Sequence, residues 1–312
     1  MQHISRAPYQ SCRNAFELTT SFTHLGNNYT FEMSWNASLE LNYSLRERSG
    51  SSRTVARHMH TGPLRVLQSL YPEGDSICHN VLVHPPGGLV GGDTLNLTVH
   101  VECGAHGLLT TPGATRFYRS EGEAALQRTN IDVAANARVE WLPLESIAFN
   151  GCLAENRLAI TLAPGAEMLG WDVTALGLPA ACKPFESGHF CQHLEMPGIW
   201  LERASIKALD HLLLNSPIGM AGHRCFATLF FATGSKLTRQ RRQDALDIAR
   251  SIIEAHALCP TAGATSPNGQ IVLVRVLAPV VEPAMALLRS IWLSWRHELW
   301  QLDTKVPRIW ST

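Results

Sequence analysis

The sequence predicts a mainly β fold: many short strands in an elongated single-domain β structure, with two α-helices in the C-terminal third. Short runs of alternating apolar and polar residues recur through the first two thirds of the chain. Glycine and proline clusters separate those runs. Helical spacing of apolar residues is confined to two late segments.

In chain order, residues 1–33 are polar with scattered aromatics and read as a poorly ordered N-terminal extension, which leaves 34–312 as the β-rich domain. The extension has no basic stretch followed by an apolar one, so it does not read as a secretory signal. In the first strand, Leu39, Leu41, Tyr43 and Leu45 face one way and Ser38, Glu40, Asn42 and Ser44 the other. An apolar strand spans Asn80 to Val83. Leu95, Leu97, Val99 and Val101 then alternate with Thr94, Asn96, Thr98 and His100. Similar runs occupy Arg138 to Leu142, Leu158 to Leu162 and Trp200 to Ile206. Turn punctuation falls at Pro85 to Gly92, Pro112 and Gly113, Pro164 and Gly165, and Pro197 and Gly198, with no linker-like stretch to mark a domain boundary.

Near the C-terminus, Arg241 to Ala257 places Leu246, Ala249, Ile253 and Ala257 at helical spacing. Pro283 to Trp300 does the same with Met285, Leu288, Ile291, Trp292, Trp295 and Leu299, and Pro283 suits a first turn. Between them Gln270 to Leu277 is rich in β-branched residues and follows a Pro267-Asn268-Gly269 turn, so the tail reads helix, strand, helix. The tryptophan-rich helix face predicts core packing.

Composition excludes several classes of function. With 312 residues, 45% hydrophobic and 17% charged, the chain can bury a large core without disulfides or a structural metal. Basic and acidic residues balance at 26 each, leaving no overall field for nucleic acid or an anionic membrane. The longest apolar runs fall far short of the roughly 20 residues that cross a bilayer. The expected location is therefore cytoplasmic, where the eight scattered cysteines, none in a CxxC pair, read as free thiols.

The densest motif is the loop His84-Pro85-Pro86-Gly87-Gly88-Leu89-Val90-Gly91-Gly92-Asp93. No Lys-Ser/Thr pair and no helix pattern follow its glycines, so a phosphate cradle is excluded. It reads as a tight connection between strands, with four glycines in six residues to permit positive φ. No P-loop, G-x-S-x-G elbow or HExxH occurs elsewhere. His189, Cys191 and His193 stand at i, i+2 and i+4, which on a strand puts soft ligands on one face. Adjacent Cys78 and His79 would point to opposite faces.

The loop, together with Gly62-Pro63-Leu64, Tyr71-Pro72-Glu73, Cys78-His79 and Thr111-Pro112-Gly113-Ala114-Thr115-Arg116-Phe117-Tyr118-Arg119-Ser120, resembles the UreD/UreH family of urease accessory proteins. Glu140-Trp141-Leu142-Pro143, Gly170-Trp171-Asp172, Leu176-Gly177 and Pro307-Arg308-Ile309-Trp310 extend the resemblance to the C-terminus. It implies a non-enzymatic scaffold that binds UreF, recruits the GTPase UreG and docks on the urease apoenzyme so that nickel reaches its active site. It also implies a polar internal passage, no tightly bound cofactor and Ni²⁺ only in transit. Matched by motif, the passage positions are Asp93, Thr115, Asp172 and Glu202. The plain alternatives are a turn-capping Asp93, an Asp172 paired with an arginine and a Glu202 paired across its own sheet. Two rival functions remain: a small metalloenzyme or metal-binding protein using His189, Cys191 and His193, and a β-sandwich binding module.

Overall fold

A computed structural model describes residues 34–48, 51–303 and 305–311. The predicted N-terminal extension lies outside the described residues. The remainder is mainly β, as the alternation predicts. Seven strands form one sheet in the order β14-β13-β11-β8-β5-β1-β2. In chain order these are β1 (Asn36–Arg48), β2 (Ser51–Thr61), β5 (Thr94–Val101), β8 (Ala125–Val133), β11 (Leu153–Leu162), β13 (His189–Met196) and β14 (Trp200–Lys207). The larger sheet runs β16-β17-β15-β12-β9-β6-β4-β3, with two short strands, β7 and β10, attached at β12. Its members are β3 (Arg65–Val66), β4 (Ile77–Val83), β6 (His106–Thr110), β7 (Thr115–Phe117), β9 (Arg138–Leu142), β10 (Ser146–Ala148), β12 (Glu167–Leu176), β15 (Cys225–Thr233), β16 (Ala262–Asn268) and β17 (Ile271–Ala278).

From β4 to β13 the chain alternates between the sheets as a coil, and in two of its turns the short strands β7 and β10 add a second segment on the side of the larger sheet. Strands stacked by successive turns are parallel: β1, β5, β8, β11 and β13 on one side, β4, β6, β9 and β12 on the other. The result is a solenoid-like body whose two inner faces meet in one core. Leu95, Leu97, Val99 and Val101 of β5 all point into it, while their polar neighbours stay partly wet.

A second core lies between the outer face of the larger sheet and two helices, α2 (Arg239–Glu254) and α3 (Val281–Trp300). Thr238 caps α2 by accepting from the Arg241 amide at 3.2 Å. Leu288, Ile291, Trp292 and Trp295 of α3 are fully buried, so the tryptophan-rich face is core as its spacing predicts. The tail differs from the expected helix, strand, helix: β16 pairs antiparallel with β17 to make a hairpin between α2 and α3. Its sequence, Ala262-Gly263-Ala264-Thr265-Ser266-Pro267-Asn268, has turn composition, and pairing with an apolar neighbour overrides that weak preference. A short helix, α1 (His211–Asn215), capped by Asp210, also goes unannounced by periodicity.

Candidate functional site

The glycine loop folds back against β7. Leu89 donates its amide to the Arg116 carbonyl at 2.7 Å, and Tyr118 donates to the Leu89 carbonyl at 2.8 Å. Gly87 and Gly92 take φ of +76° and +83°, whereas a side chain at Gly88 would strike the Tyr118 ring. Asp93 closes the loop: its Oδ1 accepts from the Trp35 amide at 2.7 Å and its Oδ2 from the Val90 amide at 2.9 Å. Both oxygens of this buried carboxylate are thereby engaged by backbone, which is the geometry of a turn cap.

A cavity of about 210 Å³ lies behind the loop, lined by His84, Gly87, Thr115, Gln127, Thr129 and Trp141 among others. His84 Nε2 is buried there and finds no hydrogen-bond partner among the described residues. Burial lowers the His84 pKa, and the Asp93 charge offsets part of that effect.

Gln127 also begins a row of polar side chains at positions where the strands otherwise bury apolar residues. The register aligns Gln127 of β8 with Asn156 of β11, and Asn156 with Gln192 of β13. These amides therefore form rungs at one height of the coil. Gln127 donates to Asn156 Oδ1 at 3.2 Å, and Asn156 donates to Asp172 Oδ2 at 2.7 Å. Gln192 donates to Asp172 Oδ1, and Thr174 donates to the same oxygen at 3.3 Å. Asp172 stands on β12 of the opposite sheet, so its carboxylate bridges the two inner faces.

No arginine pairs with Asp172 among the described residues, contrary to its plain alternative; its hydrogen bonds come from the neutral donors Asn156, Gln192 and Thr174. Burial raises its pKa to about 6, against the opposing pull of those donors and reinforced by the nearby Glu202 charge. Thr115 belongs to the same neighbourhood, because the register runs Thr174, Ser146, Thr115 across β12, β10 and β7.

Glu202 of β14 completes the row and points inward, not along the outer face of its own sheet. Its Oε1 accepts from Thr228 Oγ1 at 2.6 Å, and its Oε2 lies 2.8 Å from Arg275 Nε and 2.7 Å from Nη2. Thr228 and Arg275 stand on β15 and β17 of the opposite sheet. Three of the four predicted passage positions, Thr115, Asp172 and Glu202, are thus brought into one neighbourhood, whereas Asp93 is held in its turn.

His189, Cys191 and His193 do share the outer face of β13. Cys191 Sγ lies 3.3 Å from His189 Nε2, and His189 also meets Ser205 Oγ at 2.8 Å. His193, however, sits between Arg203 at 3.1 Å and Glu195 at 3.0 Å. Among the described residues no group of three or more His, Cys, Asp or Glu side chains is arranged to hold a metal ion. Cys78 and His79 point to opposite faces, the thiol into the core between the sheets and the imidazole to Glu73 at 2.8 Å.

That Glu73 belongs to an ionic network under α3. Fully buried Arg296 places Nη2 2.9 Å from both Glu73 oxygens and Nε 3.0 Å from Glu140 Oε2. Glu140 further receives Trp292 Nε1 at 2.7 Å and meets His106 Nε2 at 3.0 Å. Burial pushes the Glu140 carboxyl up, but His106, Arg296 and Trp292 together hold it below the usual range. Burial also lowers the His106 pKa.

Sequence reasoning missed Gln127, Asn156, Gln192 and Arg275. Each interrupts the apolar face of an alternating strand, as Asn156 does between Ala154 and Leu158, and that interruption was the available signal.

Comparison with known proteins gives consistent results. The family profile described as UreD urease accessory protein matches residues 36–311. Similar chains include the urease accessory protein UreD of Polaromonas sp. strain JS666, 68% identical over 279 residues that span 89% of this chain and 100% of that protein. The protein of the same description from Polaromonas naphthalenivorans is 66% identical, with coverage of 89% and 100%. That from Variovorax paradoxus is 63% identical, with coverage of 90% and 100%. No helix among the described residues is long and apolar enough to cross a membrane.

Proposed function

The chain belongs to the UreD urease accessory family, with a general role in urease maturation, and from that premise we propose that it is a non-catalytic scaffold passing Ni²⁺ to the urease apoenzyme. In this reading it binds UreF, recruits the GTPase UreG, and lets nickel move as cargo along Thr115, Asp172 and Glu202.

The observation that supports the reading is Asp172: a carboxylate buried between two sheets and held only by amide and hydroxyl donors. Nickel stands high in the divalent affinity order, so a cluster of thiolates and imidazoles would retain it. Transfer requires oxygen ligands that attract the ion yet release it, as in ion pores. Asp172 and Glu202 provide two such carboxylates, and a proton competes for the first because its pKa is near 6. Asp93 has a different part: it fixes the loop that walls the cavity.

The test is co-expression of the chain with urease, UreF and UreG at limiting nickel. Asp172→Asn and Glu202→Gln keep side-chain shape and remove charge, so assembly should persist while the nickel content of urease falls several-fold. Fully loaded urease from both variants overturns the transfer role.

A further inference from the structure

We infer that Arg275 is the resident counter-cation of Glu202, and that a divalent cation reaches the Glu202–Asp172 pair only by displacing its guanidinium. The inference rests on the transfer reading above and assigns a gate to it.

The position is unusual for its strand. Ile271, Leu273 and Leu277 of β17 pack into the core between the sheets, and Arg275 shares their face. Its guanidinium reaches across to β14, where two of its nitrogens lie on the same oxygen of Glu202. With Thr228 on the other oxygen, the carboxylate has strong donors on both sides.

Exposure falls along the row: 50% for the Arg275 side chain, 19% for Glu202 and 6% for Asp172. Arg275 therefore stands between water and the buried carboxylate. The register places Asp172, Thr228 and Arg275 on adjacent strands, so two strand spacings of about 4.8 Å separate the backbones of the acid and the arginine. The guanidinium is spent on Glu202, while the donors to Asp172 are the neutral Asn156, Gln192 and Thr174.

Charge then selects the ion. Two carboxylates and one guanidinium carry a net negative charge, which a divalent cation in place of the guanidinium brings to neutrality. A monovalent cation gains nothing by the exchange, because it replaces one unit charge with another. Low local dielectric enlarges the difference between these cases. The displaced guanidinium has water to move into, since its side chain is already half exposed.

A purely structural role is the competing explanation, because the same ion pair ties β14 to β17. The experiment measures equilibrium dialysis of nickel against the full chain purified in complex with its co-expressed partners. Arg275→Gln should raise Ni²⁺ affinity roughly threefold, the size appropriate to a half-exposed ion pair. The gain should vanish in the Arg275→Gln, Glu202→Gln double variant, and Arg275→Lys should bind as the parent does. Excess potassium should not cancel it. Unchanged nickel affinity in Arg275→Gln, with or without a lower melting temperature, overturns the inference. Urease nickel content reports separately on transfer. A gain in affinity through Glu202 alongside full urease loading by both Asp172→Asn and Glu202→Gln would sink the transfer role and leave the counter-cation standing.

Discussion

The interface under α3 and the interior between the sheets both bury carboxylates, yet they satisfy them in opposite ways. Under α3, Arg296 lies against Glu73 and Glu140, with Trp292 and His106 as further partners. Between the sheets, Asp172 receives only neutral donors and keeps a raised pKa. The first arrangement neutralises charge and fastens a helix to a sheet. The second leaves charge unneutralised, which destabilises the fold and suits a site that takes up a cation.

Removing the arginine should break the first region outright. Arg296→Met leaves Glu73 and Glu140 buried without their cation, so urea denaturation should show a loss of about 3 to 5 kcal/mol. A loss below about 1 kcal/mol would mean that water reaches the network, and the contrast between the regions would fail.

The second region should respond with the opposite sign. The folded-state pKa of Asp172 is about 6 against an ordinary 3.8, so between those values the folded chain holds the extra proton and stability falls as pH rises. Asp172→Asn should therefore stabilise the protein above pH 6, by about 1 to 3 kcal/mol from the size of the shift. Near pH 4 the gain should disappear. Under α3 the slope is reversed, because His106 and Glu140 are both held below their ordinary values and acid must force protons onto them. A variant as stable as the parent at every pH would show that Asp172 is solvated.

The smallest effect should fall on the loop. Asp93→Asn offers one carbonyl oxygen to two backbone amides, so it should cost about 1 kcal/mol by thermal melting and leave nickel transfer intact. Impaired transfer by a correctly assembled Asp93→Asn would move this residue from the turn into the passage.

Much of the fold was legible in the sequence because its strands obey simple alternation. Thr94 to Val101 is a strand with its expected inner face, and the Leu288 and Trp292 face is core. What could not be read was tertiary. Glu73 and Arg296 stand 223 residues apart, and no local pattern announces their pairing. Several motifs behind the family resemblance turn out to build this network: Glu73, His79 and Glu140 fasten α3, and Trp310 packs on Trp171 and Trp292. Of the site, the two inward acids follow from the family resemblance, whereas Asn156 precedes the alternating run that begins at Leu158, and Gln127 and Gln192 stand on strands outside the alternating runs.

The order in which the layers are synthesised has its own consequence. The coil of strands is complete before α3 leaves the ribosome, and α3 and Trp310 cover Trp171 and, together with α2, Phe231 and their apolar neighbours on the outer face of the larger sheet. For most of its synthesis the nascent chain carries that face bare, while distant partners such as Asn36 and Thr94 must still find each other. Such intermediates associate readily. A chain that stops short of residue 281 has therefore lost the lid that keeps it from aggregating, and early capture by a partner during translation would protect the full-length chain through the same interval.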